Sequence, residues 1–171
     1  GLGDVYKRQS LDTSTITVTD AATLANANAI NNFTSAQVTL NVVEDTVSNI
    51  TSIDGLITSD VSMAAAAVTV TDAASLANAT AINGFTNGQV TLNIVKDTVS
   101  NITSIDGLTT SDVSMAAAAV TVTDAASLAN ATAINGFTNG QVTLNIVKDT
   151  VSNITSIDGL TTSDVSMAAA A

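Results

Sequence analysis

A repeat of 52 residues dominates the sequence and constrains its fold more than any other feature. Residues 16–67 return as residues 68–119 and again as residues 120–171, and the second and third copies are identical. The first copy differs from them at nine positions, among them Glu44, where the second copy has Lys96. Such repeats pack against their neighbours instead of forming independent cores, so we expect a linear array. The charge reversal predicts a solvated position.

Each copy contains two shorter units with a common pattern. Residues 82–92 (INGFTNGQVTL) match residues 105–115 (IDGLTTSDVSM), 23 positions later, which leaves 29 residues to complete the copy. Units of about 20 to 30 residues allow one strand and one helix to complete a solenoid turn. The sequence therefore predicts an α/β repeat solenoid of about six strand–helix coils with a parallel sheet. An all-β solenoid, a parallel β-helix, is the alternative.

The strand of one coil is predicted in the stretch QVTLNIVKD. Val90, Leu92 and Ile94 alternate there with other residues, so these three side chains are expected on one buried face. The matching stretch VSMAAAAVTVTD has a mixed pattern, because methionine and four alanines favour helix. We expect it to form a bent or broken extended segment, in which the four alanines lengthen the coil.

A helix is predicted after each strand. Val99, Ile102 and Ile105 recur at a spacing of three, which is typical of one helical face. Asp97 is the predicted N-cap of this helix, because its carboxylate can accept hydrogen bonds from free backbone N–H groups. The same reasoning makes Asp72 the N-cap of the sister helix.

Glycines are expected to end these helices. Gly107 follows the last periodic residue of its helix and Gly84 follows that of the sister helix, and glycine adopts the left-handed conformation at little steric cost. Asn32 occupies the Gly84 position in the first copy, and asparagine also tolerates that conformation. The sequence thus predicts a left-handed helix end at each of these positions.

The composition excludes several classes of function. A net charge of −11 with only four basic residues cannot supply the basic patch of a nucleic-acid-binding protein, and it disfavours an anionic membrane surface. Cysteine and histidine are absent, so disulfides, thiolate metal sites and the commonest general base are excluded. No run of about 18 apolar residues occurs, so no membrane insertion is expected. We predict neither catalysis nor a resident cofactor other than, at most, calcium.

The first set of candidate ligands recurs once per coil. Its members are Asp20, Asp45, Asp72, Asp97, Asp124 and Asp149. Stacked carboxylates could bind Ca²⁺ through their oxygens, but each could equally satisfy a helix N-terminus. Neither the glycine-rich calcium nonapeptide nor an EF-hand loop is present, which favours capping.

The second acidic set flanks the turn IDGLTTSD. Its members are Asp54, Asp60, Asp106, Asp112, Asp158 and Asp164. Carboxylates paired across a turn could act in glycoside hydrolysis, but no arginine, histidine or aromatic platform accompanies them, which favours a solvated edge. Glycosylation sequons are attributed to the Asn- and Thr-rich composition and occur at Asn32, Asn49, Asn78, Asn101, Asn130 and Asn153.

The segments VTVTDAASLANATAIN and VTLNIVKDTVSNITSIDGL carry a resemblance that covers residues 16–171. They resemble the tandem repeats of very long bacterial secreted or surface proteins. The resemblance implies an extracellular or cell-surface location and a structural, adhesin-like role as a spacer or stalk. Its implied partners are neighbouring repeats, and surface glycans or other cells. The alternatives are a calcium-dependent extracellular binding module and a polysaccharide-processing solenoid.

The opening residues, GLGDVYKRQ, differ from the repeats in charge, aromaticity and period. GDVYKRQ is similar to the translated transposase adapter of sequencing libraries. We therefore expect residues 1–10 to be non-native and the three repeats to be a window of a longer array.

Overall fold

The structure, a computed structural model, describes residues 13–56, 60–108, 112–160 and 164–167, so the adapter-like residues 1–10 lie outside the described residues. The strands are β1 (Ile16–Ala22), β2 (Val38–Asp45), β3 (Val61–Ser62), β4 (Ala67–Ala74), β5 (Val90–Asp97), β6 (Val113–Ser114), β7 (Ala119–Ala126), β8 (Val142–Val147) and β9 (Val165–Ser166). The helices are α1 (Leu24–Asn31), α2 (Val47–Gly55), α3 (Leu76–Phe85), α4 (Val99–Leu108), α5 (Leu128–Phe137) and α6 (Val151–Leu160). The predicted α/β fold with six strand–helix coils is confirmed, and the all-β alternative is wrong.

All nine described strands form one parallel sheet in the order β1-β2-β4-β5-β7-β8-β9, and the short strands β3 and β6 pair with β2 and β5. Each helix contacts the next helix along the chain, so the helices form a second layer against the sheet. The core between the layers consists of small aliphatic side chains, such as Leu40 from β2 with Ile50 and Ile53 from α2, which are fully buried. The predicted helical face is confirmed, since Ile102 and Ile105 are fully buried and the partly buried Val99 packs against the same core.

The four-alanine stretch interrupts a strand, as predicted. β3 pairs with Val38 and Thr39 at the start of β2, and β4 pairs with β2 from Val42 onward. Between β3 and β4 the chain makes a turn at Ala64 and Ala65. One edge of β2 therefore pairs with two separate strands, β3 at its beginning and β4 further along.

This interruption makes the sheet slip along its strands from one repeat to the next. Val43 pairs with Val68, and Val68 pairs with Val90. The first-copy equivalent of Val90 is Val38, which lies five residues before Val43. Each repeat is therefore displaced by five residues along the strand direction, about 17 Å at about 3.3 Å per residue.

The predicted buried face of β5 is correct for Val90 and Leu92 but wrong for Ile94. Ile94 is 37% exposed, whereas the next residue, Val95, is fully buried. The pairing of β4 with β5 shifts at this point, because β4 has one more residue than β5 between successive pairs. The alternation of buried side chains in β5 changes at the same point, from Leu92 to Val95.

The predicted left-handed glycine caps are wrong. Gly84 and Gly107 lie within α3 and α4, and no described glycine has a positive φ. Asn32 caps α1 in a right-handed helical conformation, with φ of −73°. After α3 the chain becomes extended at Thr86, where φ is −137°.

Aspartates, not glycines, adopt the left-handed conformation. Asp60 and Asp112 have φ values of 71° and 74°, which aspartate tolerates better than most residues. Their backbone carbonyls accept hydrogen bonds from the first residues of β2 and β5, Val38 and Val90, at 2.7 Å. These turns therefore fix the start of one strand to the next coil.

In the turn after α3, Gly88 lies against the backbone of the preceding coil. The Thr86 hydroxyl donates to the Ala66 carbonyl at 2.6 Å and accepts from the Gly88 N–H at 2.9 Å. A Cβ atom on Gly88 would lie 2.2 Å from the Ala66 carbonyl oxygen, closer than packing allows. In the first copy this position is Ala36, and there Ser14 replaces Ala66 as acceptor of the threonine hydroxyl.

We expect Gly88→Ala to lower the free energy of unfolding by about 1–3 kcal/mol, because backbone must move to admit the methyl group. Gly84→Ala is the matched control, since its Cβ would meet nothing within 4 Å and alanine favours helix. The control should gain about 0.5–1 kcal/mol. Urea unfolding measures both, and equal effects of the two substitutions would contradict the steric explanation.

Candidate functional site: the carboxylate column

Asp97 joins three structural elements through one carboxylate. Its Oδ2 accepts a hydrogen bond from the backbone N–H of Leu76 at 2.9 Å. Its Oδ1 accepts from the Thr98 N–H and from the Asn101 side-chain amide, both at 2.8 Å. Leu76 is the first residue of α3, in the preceding coil. Asp97 therefore satisfies the N-terminus of one helix while it anchors the start of the next.

Five aspartates in successive coils, which we call the carboxylate column, accept the same bond between coils at 2.7–2.9 Å. The carboxylate and the backbone N–H of the preceding coil are paired as Asp45 with Leu24, Asp72 with Val47, Asp97 with Leu76, Asp124 with Val99, and Asp149 with Leu128. Asp20, the remaining predicted member, lies exposed on β1. The other five members of the first acidic set thus link successive coils by hydrogen bonds.

The predicted N-caps are wrong, because Asp72 and Asp97 accept a hydrogen bond from the first N–H of the helix in the preceding coil. Asp72 accepts from α2, not from the helix that follows it, and the N-cap of that following helix, α3, is Ser75. The Ser75 hydroxyl accepts from the Asn78 N–H at 3.3 Å, while the Asn78 side-chain oxygen accepts from the Ser75 N–H at 2.9 Å. This reciprocal capping box satisfies the N-terminus of α3, so Asp72 is available to accept the hydrogen bond from α2.

The sequon asparagines inside the repeats have structural partners. Asn49 and Asn101 donate their side-chain amides to carboxylates of the column. Asn78 and Asn130 form capping boxes with the preceding serines. These contacts give the four asparagines structural roles at helix N-termini.

Two members of the second acidic set lie at one surface cavity. Asp106 and Asp112 line a cavity of about 420 Å³ together with Gln89, Ser114 and Phe137. They are the only ionisable side chains among its described lining residues. The two carboxylates lie there beside the polar side chains of Gln89 and Ser114.

The hydrogen bonds of the column favour the ionised carboxylates. Burial opposes the ionisation of Asp97, but the bonds from Leu76, Asn101 and Thr98 outweigh it, so the pKa of Asp97 lies below its ordinary value. Burial is likewise outweighed at Asp45, whose pKa is lowered by equivalent bonds. The pKa of Asp149 is lowered chiefly by the bond from the Leu128 N–H.

Other kinds of site are not evident in the described part of the chain. Within residues 13–56, 60–108, 112–160 and 164–167, no three acidic side chains come close enough together to hold a metal ion. None of the described helices combines the length and apolarity that crossing a membrane requires. No protein-family model, curated protein or solved structure matches the chain.

The column predicts a loss of stability in acid. Because the pKa values of Asp45, Asp97 and Asp149 are lowered by folding, the unfolded chain binds protons first as the pH falls. The free energy of unfolding should therefore decrease as the pH drops below about 4, the range of an unfolded aspartate. Urea unfolding at a series of pH values measures this slope, and a stability that is unchanged down to pH 3 would contradict it.

Asp97→Asn tests the link directly. The amide keeps an acceptor but loses the charge, so we expect a shallower acid slope and a loss of about 1 kcal/mol at neutral pH. Asp20→Asn is the matched control at neutral pH, because no described helix precedes β1 for Asp20 to cap. A loss from Asp20→Asn equal to that from Asp97→Asn would remove the special role of the link between coils.

Calcium is expected to leave the melting temperature unchanged. The Asp97 oxygens already accept three hydrogen bonds, whereas calcium requires about six to eight oxygen ligands. Thermal melts with millimolar Ca²⁺ and with a chelator provide the comparison. A rise of several degrees in calcium would favour the calcium-dependent binding module instead.

Proposed function

We propose that the chain is a structural repeat array, a spacer or stalk with adhesin-like repeated surfaces, in a bacterial secreted or cell-surface protein. The observation that carries this proposal is the recurrence of one hydrogen bond between coils, which the first N–H of a helix donates to a carboxylate of the next coil. An array built this way gains length by adding coils, since each new coil uses the interface that the previous one used.

The slip of the sheet makes the array longer than strand stacking alone would. Two coils advance about 10 Å across the strands, at about 4.8 Å per strand. The displacement of about 17 Å along the strands adds to this, so each repeat advances the array by about 20 Å. A spacer role is favoured by this combination of additive length and a constant interface.

The solvent-facing residues support a structural role over recognition of one small ligand. Glu44 and Lys96 occupy the same position in successive copies, and both are exposed, as the charge reversal predicts. A position that tolerates either sign of charge faces water and is not matched to one charged ligand. The acidic net charge of the whole chain also keeps such an array soluble.

Chains with three, four and five repeats test the proposal. We expect the maximum dimension in small-angle X-ray scattering to rise by about 20 Å per added repeat. A chain lengthened by a shuffled 52-residue segment is the control for mass and composition. A size that grows only as a compact globule does, with the 0.38 power of length by the usual approximate scaling, would overturn the spacer proposal.

A further inference from the structure

Asn–Gly dipeptides occur in two different settings within the second copy. Asn87–Gly88 lies in the turn after α3, where Asn87 is exposed. Asn83–Gly84 lies inside α3, where Asn83 is half-buried. The third copy repeats both settings, with Asn139–Gly140 in a turn and Asn135–Gly136 inside α5. The chain therefore carries the same chemical pair in a loop and in a helix, twice.

We propose that Asn87 and Asn139 are sites of spontaneous deamidation. In this reaction the backbone nitrogen of the following glycine attacks the side-chain Cγ of asparagine. The new C–N bond closes a five-membered succinimide, the glycine N–H proton is lost to solvent, and the side-chain nitrogen leaves as ammonia. Water then opens the ring at either carbonyl, which leaves aspartate or isoaspartate. Water is the only co-reactant.

In the second and third copies, packing between coils favours glycine at the position that makes this reaction easy. A Cβ atom on Gly88 would lie 2.2 Å from the Ala66 carbonyl oxygen, and one on Gly140 would lie 2.2 Å from the Ala118 oxygen. Glycine also leaves its own nitrogen unhindered by a side chain. The glycine that permits close packing between coils therefore also makes the preceding asparagine chemically labile.

A threonine hydroxyl restrains the attacking nitrogen. The Gly88 N–H donates to Thr86 Oγ1 at 2.9 Å, and the Gly140 N–H donates to Thr138 Oγ1 at the same distance. Attack requires this bond to open. Both threonines are buried, so the hydroxyls are held in place by their own bonds to the preceding coil.

The helical pairs provide an internal reference. In a helix the backbone N–H bonds to the carbonyl four residues earlier, and the backbone conformation holds the asparagine side chain away from that nitrogen. Asn83 and Asn135 should therefore react only when their helices open. The first copy has Ser35–Ala36 at the turn and contains no Asn–Gly pair.

The product would loosen one junction between coils. The Asn87 N–H donates to the Ala64 carbonyl of the preceding coil at 2.8 Å. Isoaspartate adds a backbone carbon at this residue and changes the spacing between Thr86 and Gly88. The second and third copies thus acquire a time-dependent weak point that the first copy lacks.

Incubation of the folded chain in mildly alkaline buffer, followed by tryptic mass spectrometry, tests the proposal. Cleavage after Lys96 and Lys148 separates Asn87 and Asn139 into different peptides, and fragmentation distinguishes them from the helical asparagines. We expect the turn sites to react at least about tenfold faster than the helical sites. A chain kept in denaturant is the control, in which all four asparagines should react at similar rates. Similar slow rates at all four sites of the folded chain would overturn the proposal.

Thr86→Val tests the restraint. The substitution removes the hydroxyl, and we expect the rate at Asn87 to rise about fivefold, the factor that the loss of one hydrogen bond gives. Asn139 in the same molecule keeps Thr138 and should react at its original rate. An equal rise at both sites, or no rise at Asn87, would overturn the role of the hydroxyl.

Discussion

The array depends on one contact, in which the first N–H of a helix donates a hydrogen bond to a strand-end carboxylate of the next coil. A helix begins with N–H groups that its own backbone cannot satisfy. Here the next coil supplies the acceptor, and the negative charge also opposes the positive end of the helix dipole. Each coil therefore satisfies a helix N-terminus of the preceding coil. This explains why one aspartate recurs in every coil.

Hydrophobic packing alone would not fix the coils so specifically. The fully buried core side chains are valine, isoleucine, leucine, methionine and alanine, and the partly buried Phe85 and Phe137 pack against them. Small aliphatic residues can slide past one another at modest cost. The carboxylate links, the buried Thr86 hydroxyl and the left-handed Asp112 turn each tie a backbone group of one coil to the next. Polar contacts thus set the register that the core stabilises.

Local sequence patterns revealed the coil but not the contacts between coils. Periodicity located the strand at Val90 and the helical face at Ile102, because both depend on neighbours in the sequence. The partner of Asp97 lies 21 residues away in the preceding coil, and a rule for helix capping considers only nearby residues. The recurrence of an aspartate every 25 or 27 residues was the signal from which the link could have been found. The position of Ile94 was missed because the shift in pairing between β4 and β5 cannot be seen in the sequence pattern of β5 alone.

The slip of the sheet has a consequence for multivalent contact. Hydroxyl side chains line up across three adjacent strands and then stop, so the outer face carries three short rows instead of one continuous ridge. The rows are Thr17–Thr39–Ser62, Thr69–Thr91–Ser114 and Thr121–Thr143–Ser166. Because successive rows are about 20 Å apart, a binder that engages one row meets an equivalent row only if it can span that distance. Effective concentration, not the chemistry of a single row, would then set its avidity.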